Sequence, residues 1–139
     1  MLAVNTKKET GEVCILFDFE GKNDLFHQLS HARNGKDHAF FVLGALLDKY
    51  NPLGKTYRVC DFINIIYSEH NRGCCSIVSS DNGFSSVELS LPENLFSLLL
   101  RIIEKTDSRI PVNELLFSDC KENKIAVRLF YREDSFIIS

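Results

Sequence analysis

His27-Gln28-Leu29-Ser30-His31 sets two imidazoles four residues apart, a spacing that puts both on one helix face and can chelate zinc. A zinc protease needs a glutamate directly after the first histidine as its general base, and Gln28, which takes no proton, holds that place. A third ligand would have to come from Cys14 or His38, and a pair of exposed or capping histidines is the simpler account. Asn51-Pro52-Leu53-Gly54-Lys55-Thr56 ends like a phosphate-binding loop, but the first glycine of that motif would fall at Lys49. Such a loop follows a strand and opens a helix, so that its N–H groups converge on phosphate. Here a helix is expected before it, and the segment reads as a turn. Asp18, Glu20 and Asp24 cluster at the end of the first expected strand, where Asp18 and Glu20 would share a face and could offer oxygens to Mg²⁺. Glu20-Gly21-Lys22 has the E-x-K form of metal-dependent nucleases but lacks their acidic residue on a preceding strand. An acidic solvated face that docks a basic partner accounts for these carboxylates better than a metal site does.

The five cysteines, Cys14, Cys60, Cys74, Cys75 and Cys120, show no framework spacing, and Cys74-Cys75 is an adjacent pair rather than a C-x-x-C redox pair. A catalytic thiol needs a base, and His70 lies four residues before Cys74 across Gly73. Buried structural thiols are expected instead. No G-x-S-x-G elbow is present, and Asp81-Asn82-Gly83 lacks the glutamate that would complete a calcium loop. The expectation is therefore no catalytic residue, no metal and no cofactor.

These residues must be carried by secondary structure, and periodicity gives a first assignment. Glu12 to Glu20 alternates, with Val13, Ile15, Phe17 and Phe19 on one face and Asp18 and Glu20 on the other. Asn23 is expected to cap a helix carrying Leu25, Phe26, Leu29 and Ala32, and Asn34-Gly35 to stop it. A second helix is expected from Asp37 to Tyr50, with Phe40, Phe41, Leu43, Leu46 and Leu47 inward. A third is expected over 57–69, where Val59, Phe62, Ile63, Ile66 and Tyr67 recur at helical spacing, although the β-branched content favours a strand. Asp81-Asn82-Gly83 then joins strands Cys74–Ser80 and Phe84–Leu89 into a hairpin whose small polar outward serines suit either a sheet edge or pairing with another chain. Ser90-Leu91-Pro92-Glu93 reads as a capping box before the apolar helix 95–105. Val112–Phe117 fits a helix or a strand, Lys124–Arg132 alternates as a strand, and Phe136-Ile137-Ile138 could add another. The order lacks regular βα alternation, so the expected class is α+β: a mixed or antiparallel sheet with about four helices packed on it.

The 139 residues suffice for one globular domain, 1–139, with no linker or sequence repeat dividing it. With 45% hydrophobic and 25% charged residues the chain has the composition of a folded domain rather than a disordered one. A net charge of −3 with scattered Lys and Arg leaves no basic cluster for phosphates, so no nucleic acid is expected as partner. No apolar run approaches a membrane span, and Met1–Lys8 lacks the apolar stretch of a secretory signal, so a cytoplasmic location is expected.

In its moderate acidity, its size and its lack of catalytic motifs, the chain resembles the small cytoplasmic immunity proteins paired with bacterial contact-dependent growth-inhibition toxins. Asp18, Glu20, Asp24 and Glu88 on expected solvated faces, and the hairpin around Asp81-Asn82-Gly83, are the features in point. The resemblance implies a non-enzymatic protein that binds a cognate basic toxin domain, often a nuclease, and blocks its active site. Two other readings compete. One is a small metal- or Cys/His-dependent enzyme using His27, His31, Asp18 and Glu20. The other is an acidic dimeric secretion chaperone whose 95–103 helix supplies the dimer interface.

Overall fold

A computed structural model describes residues 1–44, 58–70, 72–79, 83–119, 121–133 and 136. Strands β1 (Leu2–Lys7) and β2 (Glu12–Phe17) form a hairpin closed by a single 3-10 turn, Lys8–Thr10. Helix α1 (Phe19–Gly35) follows, then β3 (His38–Val42), the two-residue β4 (Arg58–Val59) and β5 (Phe62–Tyr67). The second half holds β6 (Cys74–Ser79), β7 (Ser85–Leu91), helix α2 (Glu93–Lys105), β8 (Val112–Ser118) and β9 (Lys124–Tyr131).

The class is α+β and the sheet is mixed, but the expected set of about four helices is wrong: among the described residues there are two α-helices. The strands form one nine-stranded sheet, ordered β3-β5-β7-β6-β8-β9-β2-β1-β4. The segment expected to open a second helix is β3, and the one expected to form a third is largely β5. Residues 45–57, which include the rest of the expected second helix and the phosphate-loop-like segment, lie outside the described residues. Alternation won over helical spacing in both cases. In β3, Ala39 and Phe41 are buried while His38, Phe40 and Val42 are exposed. In β5, Ile63 and Ile65 are buried and Phe62, Asn64 and Ile66 are turned to the other face. β-Branched and aromatic side chains fit a pleated surface with cross-strand neighbours, and tertiary pairing overrides a weak helical stripe.

The connectivity is the same unit twice. β1-β2-α1-β3-β5 and β6-β7-α2-β8-β9 each consist of a hairpin, a helix and a second hairpin, with all four hairpin pairings antiparallel. The units interlock, because β2 pairs in parallel with β9 of the other unit and β7 with β5. Two four-stranded blocks result, β3-β5-β7-β6 and β8-β9-β2-β1, joined by the parallel bridge Cys74↔Ser118. This is a repeat of topology without a visible repeat of sequence. At the other end, the Gly44 N–H donates to the Leu2 carbonyl at 3.1 Å and the Cys60 N–H to the Val4 carbonyl at 2.9 Å. Both ends of the strand order thus meet, and the twisted sheet curls round its two helices.

The core lies inside that curl. Leu25, Leu29 and Ala32 of α1 and Phe96, Leu99, Leu100 and Ile103 of α2 meet the inward rows of the strands, including Ile15, Phe17, Ile63, Ile65, Val87, Leu89, Val127 and Leu129. α2 starts at Pro92 without a side-chain cap, so the expected capping box is not formed. Its apolar stripe is spent on the core, including the residues that the chaperone reading assigned to a dimer interface. No helix among the described residues is long and apolar enough to cross a membrane.

Two turns need glycine. Gly11 sits at φ +65°, and a Cβ there would come within 2.5 Å of the Lys124 carbonyl oxygen. Gly83 closes the β6–β7 hairpin at φ +86° with open space around it. Gly83→Val should therefore cost only backbone strain, about 1–3 kcal/mol. Urea unfolding that shows an unchanged midpoint in this variant would show that the turn does not hold the left-handed conformation.

Candidate protein interface

Register fixes which side chains share the outer face of the β3-β5-β7-β6 block, because residues paired across strands point the same way. Three rows cross it: His38–Ile66–Ser90–Cys74, then Phe40–Asn64–Glu88–Ser76, then Val42–Phe62–Ser86–Val78. Phe84 extends the surface from the residue before β7. The aromatic rings form a continuous row, with Phe40 and Phe62 stacked at 5.3 Å and Phe62 and Phe84 tilted at 6.0 Å. A polar outer face would be ordinary for such a sheet. Here Phe40 is 50% exposed, Phe84 53%, Val42 74% and Val78 42%. Adjacent apolar side chains exposed to this degree form a contiguous patch rather than scattered surface residues.

Two acceptors stand in the middle row. Glu88 is exposed, without a hydrogen-bond or ion-pair partner among the described residues. Beside it, the Asn64 side-chain oxygen is buried and has no donor among the described residues. Leaving a buried acceptor unmade costs on the order of 1–3 kcal/mol, a cost that falls on Asn64 alone, because the exposed Glu88 carboxylate stays hydrated.

The other block shows the same face closed. Phe136 is fully buried over Ala3, Cys14 and Leu16, with Phe130 packed alongside. Arg128 lies between two carboxylates, its Nε donating to Glu114 at 2.9 Å and its guanidinium 3.8 Å from Glu12.

The four carboxylates singled out from sequence do not form one patch. β2 ends at Phe17 rather than Glu20, so Asp18 and Glu20 do not share a strand face. Asp18 is instead the N-cap of α1, in place of Asn23. It accepts from the Gly21 N–H at 2.8 Å and pairs with the Met1 amino group. Partial burial would raise the Asp18 carboxyl, but the hydrogen bonds from the Met1 amino group and Gly21 outweigh it and hold it below the usual carboxylate range. Glu20 and Asp24 are exposed on α1, and Glu88 stands apart on β7. Asp18→Ala should cost about 0.5–2 kcal/mol by uncapping α1. The carboxyl is depressed in the fold, so its stabilisation is present above about pH 4 and fades as pH falls through the folded-state value. Thermal melts of parent and variant should accordingly converge in acid; a constant gap down to low pH would contradict the capping role.

The residues considered for catalysis are held in ways that leave little chemistry. His27 and His31 meet edge to face at 4.7 Å on the exposed side of α1. His38 is bonded to its neighbour Asp37 at 2.9 Å. Among the described residues no three His, Cys, Asp or Glu side chains are placed to hold one metal ion. Burial pushes the Cys14 and Cys75 thiols up to about 12 and raises Cys60 as well, which keeps them as inert thiols. His70 and Cys74 do line one open groove of about 700 Å³ with Asp119. That carboxylate is occupied in its own turn, accepting from the backbone N–H groups of Lys121 and Asn123 and from the Asn123 amide. It is not aimed at the imidazole as an orienting group.

Sequence reasoning found Glu88 but missed Phe40, Phe62 and Phe84, which it assigned to helix cores or passed over. The available signal was the pair of apolar runs Phe40-Phe41-Val42 and Phe62 to Tyr67. In a strand, such runs must put apolar side chains on both faces. Comparison with models of protein families and with curated proteins finds nothing that matches the chain.

Proposed function

We propose that the protein is a non-enzymatic binding domain that covers a basic protein partner with the outer face of β3-β5-β7-β6, as an immunity protein covers its toxin. The observation that carries this reading is the aromatic row of Phe40, Phe62 and Phe84, its two outer rings half exposed, beside the exposed carboxylate of Glu88, which has no partner among the described residues. An apolar centre anchors a partner by desolvation, while a carboxylate at its side selects for opposite charge and speeds encounter. A sheet face with three rings and one carboxylate suits occlusion of a surface, and a toxin domain acting in the cytoplasm is the partner such a protein would meet. Glu20 and Asp24 would add only long-range attraction from α1, screened beyond roughly 8 Å at physiological salt.

The test is affinity capture from the source organism with the parent chain and with Phe40→Ser/Phe84→Ser, both checked for folding by circular dichroism. The expected result is a protein retained by the parent and absent from the variant, with the product of a neighbouring gene the first to be sought. Equal retention by both would remove this face as the docking surface.

A further inference from the structure

The two blocks superimpose by ladder position, and the comparison names what the partner must bring. Aligning the pairs Phe62↔Ser86 and Ala126↔Glu12 sets β5 against β9 and β7 against β2. Asn64 then stands where Arg128 stands, with Phe40 at the place of Glu114 and Ser86 at the place of Glu12. The second block carries its own cation, and Arg128 meets both acidic neighbours of its outer face. The first block carries a carboxylate, Glu88, directly across from Asn64. A neutral amide there cannot supply the missing charge.

We infer that the partner inserts an arginine at this point, lying across Phe62 with its guanidinium paired to the exposed carboxylate of Glu88. This rests on the docking reading above and specifies its occupant. Phe62 lies in the next row, diagonal to Glu88, a separation of about 7–8 Å that a long side chain spans. The ring row offers a flat apolar surface for the guanidinium plane and the methylene stem. A guanidinium meets a carboxylate through two parallel N–H donors while its plane lies on a ring, which an ammonium point charge does less well. The rings on either side, Phe40 and Phe84, shield the pair from water and so strengthen it.

A random library of short linear peptides, selected on the immobilised parent chain, tests this even while the partner is unidentified. The expected outcome is enrichment of peptides with an arginine next to an apolar residue. Those peptides should bind Glu88→Gln roughly tenfold more weakly, by loss of a charged hydrogen-bonded pair. Asn64→Arg should weaken them comparably, because the chain then neutralises Glu88 from within, as Arg128 does for Glu114. Recovered peptides without a basic residue, or with unchanged affinity for Glu88→Gln, would overturn the arginine inference. If those same peptides lose affinity for Phe40→Ser/Phe84→Ser, the docking face itself survives. Recovery of no peptide sensitive to either variant would overturn both.

Discussion

Phe96→Ala is expected to lower the unfolding free energy by about 3–5 kcal/mol, the largest effect on stability of any single truncation considered. Phe96 is fully buried on α2 and packs at 6.0 Å ring to ring against Tyr67 of β5, the strand that belongs to the other unit. It therefore joins the helix of one repeat to a hairpin of the other. Its removal takes away transfer free energy and leaves a cavity that the surrounding Leu99, Ile65 and Leu89 rows cannot collapse into without breaking register. Chemical denaturation followed by circular dichroism should show a lower midpoint with an unchanged slope. A loss under about 1 kcal/mol would mean that α2 is not seated on the inner face of the sheet as described.

Phe40→Ser/Phe84→Ser should act in the opposite sense, sparing the fold and abolishing binding. Both rings are about half exposed, so their truncation removes little area that folding buries, and each should shift stability by only about 0.5 kcal/mol. In a complex the same rings would lie near the centre of the desolvated patch, where a single aromatic anchor is worth about 2 kcal/mol or more. Loss of both should weaken the captured partner by at least roughly a hundredfold, chiefly through faster dissociation. Glu88→Gln should cost less, roughly tenfold, mainly through faster dissociation as the shielded pair is lost, with an added fall in association rate that salt screens. Surface-immobilised kinetics at low and high salt separates the two. A double variant that unfolds at the parent midpoint and still binds at parent affinity would leave the aromatic row without a role.

Much of the fold is legible where one face of an element is polar. α2 concentrates its apolar residues on one stripe, and Lys124 to Tyr131 alternates with Ile125, Val127 and Leu129 inward. The β6–β7 hairpin is announced by its turn, with Gly83 in the left-handed region that Asn-Gly sequences favour. Legibility fails where both faces are apolar. Phe40 and Phe41 point to opposite sides of β3, yet adjacent phenylalanines followed by Leu43 also satisfy a helical stripe. Phe62 and Ile63 create the same ambiguity in β5. The pairing of β5 with β3 and with β7, both distant in sequence, decides it. Val112–Phe117, open between helix and strand in sequence, is settled as β8 by its ladder with β9. The site was hidden for the same reason: a phenylalanine assigned to a core helix is not sought on a surface. Glu88 was visible as an exposed carboxylate, but its setting depends on Asn64 and Phe40 across the ladder, which no local pattern brings together. The strand expected to reach Glu20 gives way to α1 at Asp18, because a helix cap and a strand end present the same short acidic sequence.

The central claim is that this sheet face, and not the helical side, meets another protein. Placing a photo-cross-linking phenylalanine analogue at position 84, and separately at His27 on the exposed side of α1, tests it in living cells of the source organism. The account predicts a discrete adduct with one protein from position 84, lost when Glu88 is also changed to Lys, and none from position 27. An adduct that forms from position 27 but not from position 84 would contradict it.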